Sequence, residues 1–255
     1  MLSQPNASRP PHRYSPTLLS KHLYENEQCF TVLRQFFVHC LSDQTQNIDF
    51  RIEAVKSVTA FIRAYNDDEQ LIKQLEEIVL HLMNLVVVTL PLEEDYCDTV
   101  LKSIQDLAEK CTYILKRQFD HAFRLFVETM LKSEVEEGRR RLCLEIITSL
   151  AEAIPSTIRK RGKQYLPQIV NHLLLMMTDL EDDLEQWTNS DEVENEDYDS
   201  NVVVSETSLD RLATALGGKT FLPLALTNIS NMCKNESWKF RHAGLMAIAT
   251  IGEGN

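Results

Sequence analysis

Five stretches of this chain carry apolar or small residues at one spacing, i, i+4, i+7 and i+8, which lines a single face of a helix. They are Ala54/Val58/Phe61/Ile62, Val100/Ile104/Leu107/Ala108, Cys143/Ile147/Leu150/Ala151, Leu209/Ala213/Leu216/Gly217 and Gly244/Ile248/Ile251/Gly252. Their starts lie 46, 43, 66 and 35 residues apart. Another apolar helical stretch precedes each one, at 29–41, 71–88, 119–131, 166–177 and 221–233. Any amphipathic helix of an ordinary bundle can show this spacing. Five occurrences at near-regular steps favour instead the period of roughly 40–47 residues found in two-helix HEAT or armadillo arrays. The reading is an all-α HEAT-repeat solenoid of about five antiparallel helix pairs over residues 28–255. Residues 1–27, which hold four of the eight prolines within the first sixteen positions, read as a disordered N-terminal segment outside it.

Local signals agree with helices. Only seven glycines occur in 255 residues. Asp49 is a candidate N-cap in "IDFRIEAVKSVTAFI", and Gly252 and Gly254 suit a helix C-terminus. Ala243, Gly244 and Ala247 let a paired helix approach closely, with Arg241 placed to bond carbonyls or acids of an adjacent repeat. The arginines of "GRRR" (Gly138–Arg141) read as stitches to neighbouring carbonyls. The last motif ends against Asn255 with no polar capping helix, so the chain reads as part of a longer array.

The one long step between motifs contains a run of charge. Residues 179–206 hold twelve carboxylates and no Lys or Arg, while the whole chain has 38 acids and 26 bases. The net charge of −12 therefore sits in this segment alone. It falls between "QYLPQIVNHLLLMMTDL" and "ETSLDRLATALGG", as an insertion between the two helices of the fourth pair. Repelling carboxylates with few apolar groups do not offset the entropy of ordering, so a long intra-repeat loop is expected. Trp187, Tyr198 and Val202–Val204 interrupt it and offer anchoring groups. Two readings stand side by side: a solvated insertion, or a polyanion that meets a basic partner. The acidic balance argues against nucleic acid as a direct partner.

No apolar run reaches the 18–20 residues of a membrane span, so no membrane insertion is expected. Six cysteines without a CxxC pair read as free and mostly buried thiols. "ALGGKTF" ends like a phosphate loop, but Ala213 stands where its first glycine belongs, and a Gly-rich turn between helices is the better reading. His81, His172 and His242 read as helix-surface or inter-repeat groups, and the adjacent His39 and Cys40 point to different faces. "IRKRGKQY" (Ile158–Tyr165) is a basic cluster that reads as a solvated inter-repeat turn, with a localisation signal or pairing to the acidic run as alternatives. No catalytic, metal or cofactor constellation emerges, and the chain reads as a non-enzyme.

The order helix, acidic loop, "SETSLDRLATALGGK", "LP" and "WKFRHAGLMAIATIGEG" resembles the middle HEAT repeats of the karyopherin-β nuclear transport receptors of the importin-5 type. The likeness is dense over 167–254 and weaker over 30–166. It implies nuclear import of basic cargo proteins bearing localisation signals, release by the Ran GTPase, passage by contact with Phe-Gly nucleoporins, and shuttling between cytoplasm and nucleus. In such receptors the second helices line the concave side. The acidic loop then becomes a partner-binding element: Asp179, Glu181, Asp182, Asp183, Glu185, Trp187, Asp191, Glu192, Glu194, Glu196, Asp197 and Asp199. A HEAT scaffold outside transport, using the loop for solubility or for a basic partner, is the alternative.

Overall fold

The computed structural model describes residues 27–180 and 200–253. Helices are numbered in chain order: α1 Glu27–Ser42, α2 Ile48–Ala64, α3 Glu69–Lys73, α4 Ile78–Thr89, α5 Tyr96–Lys110, α6 Phe119–Leu131, α7 Glu137–Ala153, α8 Leu166–Met176, α9 Asn201–Leu216, α10 Gly218–Met232 and α11 Trp238–Glu253. The described residues thus form five helix pairs, α1/α2, α3–α4/α5, α6/α7, α8/α9 and α10/α11, as the apolar spacing requires. The second helices stack in order, α2 on α5, α5 on α7, α7 on α9 and α9 on α11. First helices contact one another closely at α1–α4 and α8–α10 and much less between. The second helices form the tighter row, here called the inner row, and the first helices the outer row.

The core follows this stacking. Val100, Ile104, Leu107 and Ala108 of α5 and Cys143, Ile147, Leu150 and Ala151 of α7 are all buried. A fully buried Leu or Ile contributes about 1.5–3 kcal/mol, so each seam between pairs is held mainly by this apolar stripe. In α11 the buried face is Ala243, Gly244, Ala247 and Ile251, whereas Ile248 is half exposed. The sequence motif there was aligned one step off, because small residues set this seam. Gly244 packs so tightly that a Cβ would stand 2.9 Å from Cys233 Sγ. Gly217 lies beyond the end of α9 as its C-cap with φ of 75°, a left-handed conformation that favours glycine, and Gly218 opens α10. This is the turn anticipated for the phosphate-loop lookalike.

Three boundaries differ from expectation. The stretch 71–88 is broken into α3 and α4 by residues 74–77, where Leu75 and Ile78 donate to the carbonyls three residues back. Asn47, not Asp49, caps α2, accepting from the Asp49 backbone N–H at 3.1 Å. Asp49 instead accepts from the Tyr96 hydroxyl at 2.7 Å, joining the first turns of α2 and α5. Finally, α9 starts at Asn201, five residues before the predicted "ETSLDR" helix. Ser200 caps it by accepting from Val203 N–H, Ser205 is buried, and Val204 packs on the core. Val202–Val204 belong to a helix rather than anchoring a loop. The cysteines are free, with Cys40, Cys97, Cys111 and Cys143 buried, Cys233 partly buried and Cys29 exposed.

Candidate partner-binding face

The acidic insertion enters and leaves the solenoid at a closed stem. Asp179, just past α8, accepts through Oδ2 from Asn201 Nδ2 at 2.8 Å across 22 positions of sequence. The next carbonyl, Leu180, accepts from Lys239 Nζ of α11 at 2.5 Å. Both ends of the run are therefore tied to the fold, and one tie reaches the following repeat. Glu181, Asp182, Asp183, Glu185, Trp187, Asp191, Glu192, Glu194, Glu196, Asp197 and Asp199 lie outside the described residues. Sequence reasoning missed Lys239 and named Arg241 for the inter-repeat bond. Arg241 in fact donates to Asn235 and Glu236 carbonyls at 2.9 and 2.6 Å, within its own turn, because it sits one helical turn inside α11 and reaches back over that helix's start.

Beside the stem lies a small cavity, about 50 Å³, lined by Glu137, Arg140, Arg141, Leu144, His172, Met176 and Asn201. Arg140 and Arg141 approach the Glu137 carboxylate at 4.0 and 3.6 Å. His172 has its pKa lowered, first by burial and then by the Arg140 charge, which favours the neutral ring. The cations of this first turn thus stand on the same rim of the solenoid as the acidic stem. The basic cluster at 158–163 does not. It occupies the opposite end of α8, where Arg161 makes a bidentate pair with Asp120 at 2.9 and 2.7 Å and lies over the Phe119 ring at 5.1 Å. Arg159 donates to the Ala215 and Leu216 carbonyls, closing the C-terminus of α9. Two of its four cations stitch repeats together, so "solvated turn" describes only the exposed Lys160 and Lys163.

The inner row carries charged clamps between successive second helices. Arg139 of α7 donates to the Leu90, Leu92 and Glu94 carbonyls at 2.8–3.1 Å and to Asp98 of α5 at 2.9 Å, the stitch foreseen for "GRRR". Arg211 of α9 bridges Glu145 and Glu152 of α7 through four contacts of 2.7–2.9 Å. These hydrogen bonds hold the Glu152 carboxyl below its usual range and raise the Arg211 pKa. Between α2 and α5 a wide groove of about 400 Å³ is lined by Lys56, Thr59, Ala60, Arg63, Thr99, Lys102, Ser103 and Asp106. On the outer row a pocket of about 180 Å³ between α8 and α10 is lined by four asparagines with Leu174, Leu175, Met232 and Phe240. Among the described residues no cluster of three or more His, Cys, Asp or Glu is placed to hold a metal, and no helix is long and apolar enough to cross a membrane.

A stack of helix pairs clamped in this way defines a helical-repeat solenoid. The IPO5-like TPR-repeat family matches residues 18–125 and the importin repeat family matches residues 132–223. Both matches are to importin repeat families, and together they cover most of the chain. It is 28% identical over 169 residues to importin subunit beta-3 of Saccharomyces cerevisiae, covering 64% of this chain and 15% of that protein. It is 27% identical over 205 residues to the importin-5 homolog of Dictyostelium discoideum, covering 80% of this chain and 19% of that protein. The fold is similar to that of the karyopherin Kap121p bound to the extreme C-terminus of the phosphatase Cdc14p, with a TM-score of 0.75 at 23% identity over 88% of this chain and 22% of that one. Kap121p bound to Nup53p and to RanGTP gives TM-scores of 0.74 and 0.72. The chain thus spans less than a fifth of the length of these two curated relatives.

Proposed function

We propose that this chain is a segment of a nuclear transport receptor that takes part in importing basic cargo proteins and answers to Ran-GTP. The observation that carries the reading is the acidic run fastened at its base, by Asp179 to Asn201 and by Leu180 to Lys239, inside a karyopherin array. A polyanion held at a fixed point concentrates a Lys-rich segment near the inner row and speeds its capture. The carboxylates 181–199 are the proposed partner-binding residues, with Asp179 as the stem. The cargo complex, the Nup53p complex and the RanGTP complex of Kap121p support the same three partner classes here: cargo, nucleoporin and Ran. The Asn-lined pocket between α8 and α10 is the proposed seat for a nucleoporin Phe-Gly segment, because an apolar floor ringed by amides suits an aromatic side chain with its backbone. Shuttling between cytoplasm and nucleus, and a role without catalysis, belong to the same proposal.

The test is a pull-down with the chain immobilised, challenged with a Lys-rich localisation peptide and with Ran loaded with GTP or GDP. A second bait lacks Asp182–Asp199. Peptide binding at low ionic strength that is lost on deletion supports the reading, since exposed charge acts most strongly there. Equal binding to both baits refutes the role of the acidic run and leaves a scaffold that uses it for solubility.

A further inference from the structure

We infer that the groove between α2 and α5 is a docking surface for an extended acidic segment of a partner protein, a chemistry opposite to that of the basic cargo. Lys56, Arg63 and Lys102 line it, with Lys110 one turn beyond Asp106 on the same helix. The acids in reach are already engaged. Glu53 accepts from Lys56 at 2.6 Å, and Asp106 pairs with Arg63 at 3.1 Å and Lys110 at 2.5 Å. Glu109, which does not line the groove, accepts from Gln105 at 3.0 Å. Asp106 cannot neutralise two cations, and exposed Lys102 has no ion-pair partner among the described residues. The groove therefore presents net positive charge with one cation wholly uncommitted.

The floor points the same way. Thr59 is 5% exposed and its hydroxyl has no hydrogen-bond partner. Buried hydroxyls are normally satisfied, and a mid-helix threonine usually bonds the carbonyl four residues back, as Thr89 and Thr148 do here. Thr99 to Asp106 spans about 10 Å along α5, the length of roughly three residues of extended chain. Further along the inner row the sign is opposite, with Glu145 and Glu152 around Arg211 and the acidic stem at Asp179 beside the start of α9. An acidic segment is repelled there and steered to the α2–α5 end.

The experiment measures fluorescence anisotropy of a labelled Asp/Glu-rich peptide on the full chain, beside Ser-rich and Lys-rich peptides of equal length. Tighter binding of the acidic peptide than of the Ser-rich one is expected. Lys102→Glu should weaken the acidic peptide about tenfold, and Thr59→Val should weaken it by a smaller factor. Lys102 is exposed and unpaired, so its replacement leaves the fold intact, and unchanged circular dichroism checks this. Lys160→Glu, at the α7–α8 turn, should leave acidic-peptide binding unchanged. Equal affinity for acidic and Ser-rich peptides, or equal losses from the Lys102 and Lys160 variants, overturns the inference. Deleting Glu181–Asp199 separates the remaining occupant: unchanged affinity supports a partner segment, whereas a tenfold gain assigns the groove to the chain's own acidic run and overturns the partner assignment. The Lys-rich arm reports on basic-cargo binding separately, so either proposal can fail alone.

Discussion

Arg139 and Arg211 do the same mechanical job at neighbouring seams with different chemistry. Arg139 has a side chain only 9% exposed, and three of its four hydrogen bonds end on neutral carbonyls of the turn before α5. Arg211 is 26% exposed and all its bonds end on carboxylates. A carbonyl cannot be protonated and is little affected by salt. A carboxylate pair in partial contact with water is affected by both. The α5–α7 seam is thus a fixed joint, and the α7–α9 seam, which carries the acidic stem at the start of α9, is one that solution conditions can loosen.

Replacing Arg139 with Met is the most damaging way to break the fixed joint. It leaves Asp98 unpaired and the Leu90, Leu92 and Glu94 carbonyls without this donor, and about 3–5 kcal/mol of stability should be lost. Urea unfolding with an unchanged slope would register it as a shifted midpoint. A loss under about 1 kcal/mol would show that water replaces the guanidinium and that the joint is not fixed by it.

The contact of α11 on its pair partner α10 offers a control on what close packing supplies. Gly244→Ala would drive a Cβ to 2.9 Å from Cys233 Sγ and 3.2 Å from its backbone nitrogen. A cost of roughly 1–3 kcal/mol is expected, with Cys233→Ala in the same chain restoring part of it. A neutral Gly244→Ala would mean that α11 slides freely on α10.

These seams also mark where the sequence was readable. The apolar stripes of α5 and α7 could be read in register because every position of the spacing is filled by a residue that needs burial. In α11 the stripe is Ala, Gly, Ala and Ile, and small residues give hydrophobic periodicity little to register, so Ile248 was placed on the wrong face. Arg139 was legible as a stitch because a cation in the first turn of a buried helix must find partners. Lys239 was not, because the Leu180 carbonyl that it reaches lies 59 positions away, and backbone acceptors leave no mark in sequence. The acidic run declared itself by charge alone, yet its C-terminal limit was misread. The cap at Ser200 is one hydroxyl, and Val202–Val204 look alike in a loop and in a helix.

Arg211→Leu tests the adjustable joint. Exposed pairs of this kind contribute little individually, but two carboxylates meeting one guanidinium justify roughly 1 kcal/mol, less than the Arg139 effect. The sharper readout is pH. The Glu152 carboxyl titrates below its unfolded value because Arg211 donates to it, so its contribution is fully present above about pH 4.5 and lost as pH falls through the lower folded value. The wild type should lose stability in that window more steeply than Arg211→Leu. Parallel pH profiles would instead locate the acid response in other carboxylates, such as Asp120, which Arg161 also holds low.

The smallest expected effect comes from the cavity beside the stem, and it carries the comparison above the carboxylate range. His172 faces Arg140, Arg141 and Glu137 from α7 and Asn201 from α9, with Leu144 and Met176 as its apolar neighbours. Burial, then the Arg140 charge, lowers its pKa in the folded chain. Between the folded value and about 6.5 the unfolded chain therefore binds more protons, so stability is complete above about pH 6.5 and declines as pH falls below it. His81 on α4 is shifted in the same direction, chiefly by burial, so each histidine supplies part of the slope. Stability of wild type and His172→Gln at about pH 7.5 and pH 5.5 should differ in slope, with the variant flatter, and His81→Gln should remove the remainder. A slope that survives both replacements would leave the weak dependence to the carboxylates. A slope confined to His172 would make the rim of α7 and α9 respond to pH above the range in which Glu152 acts.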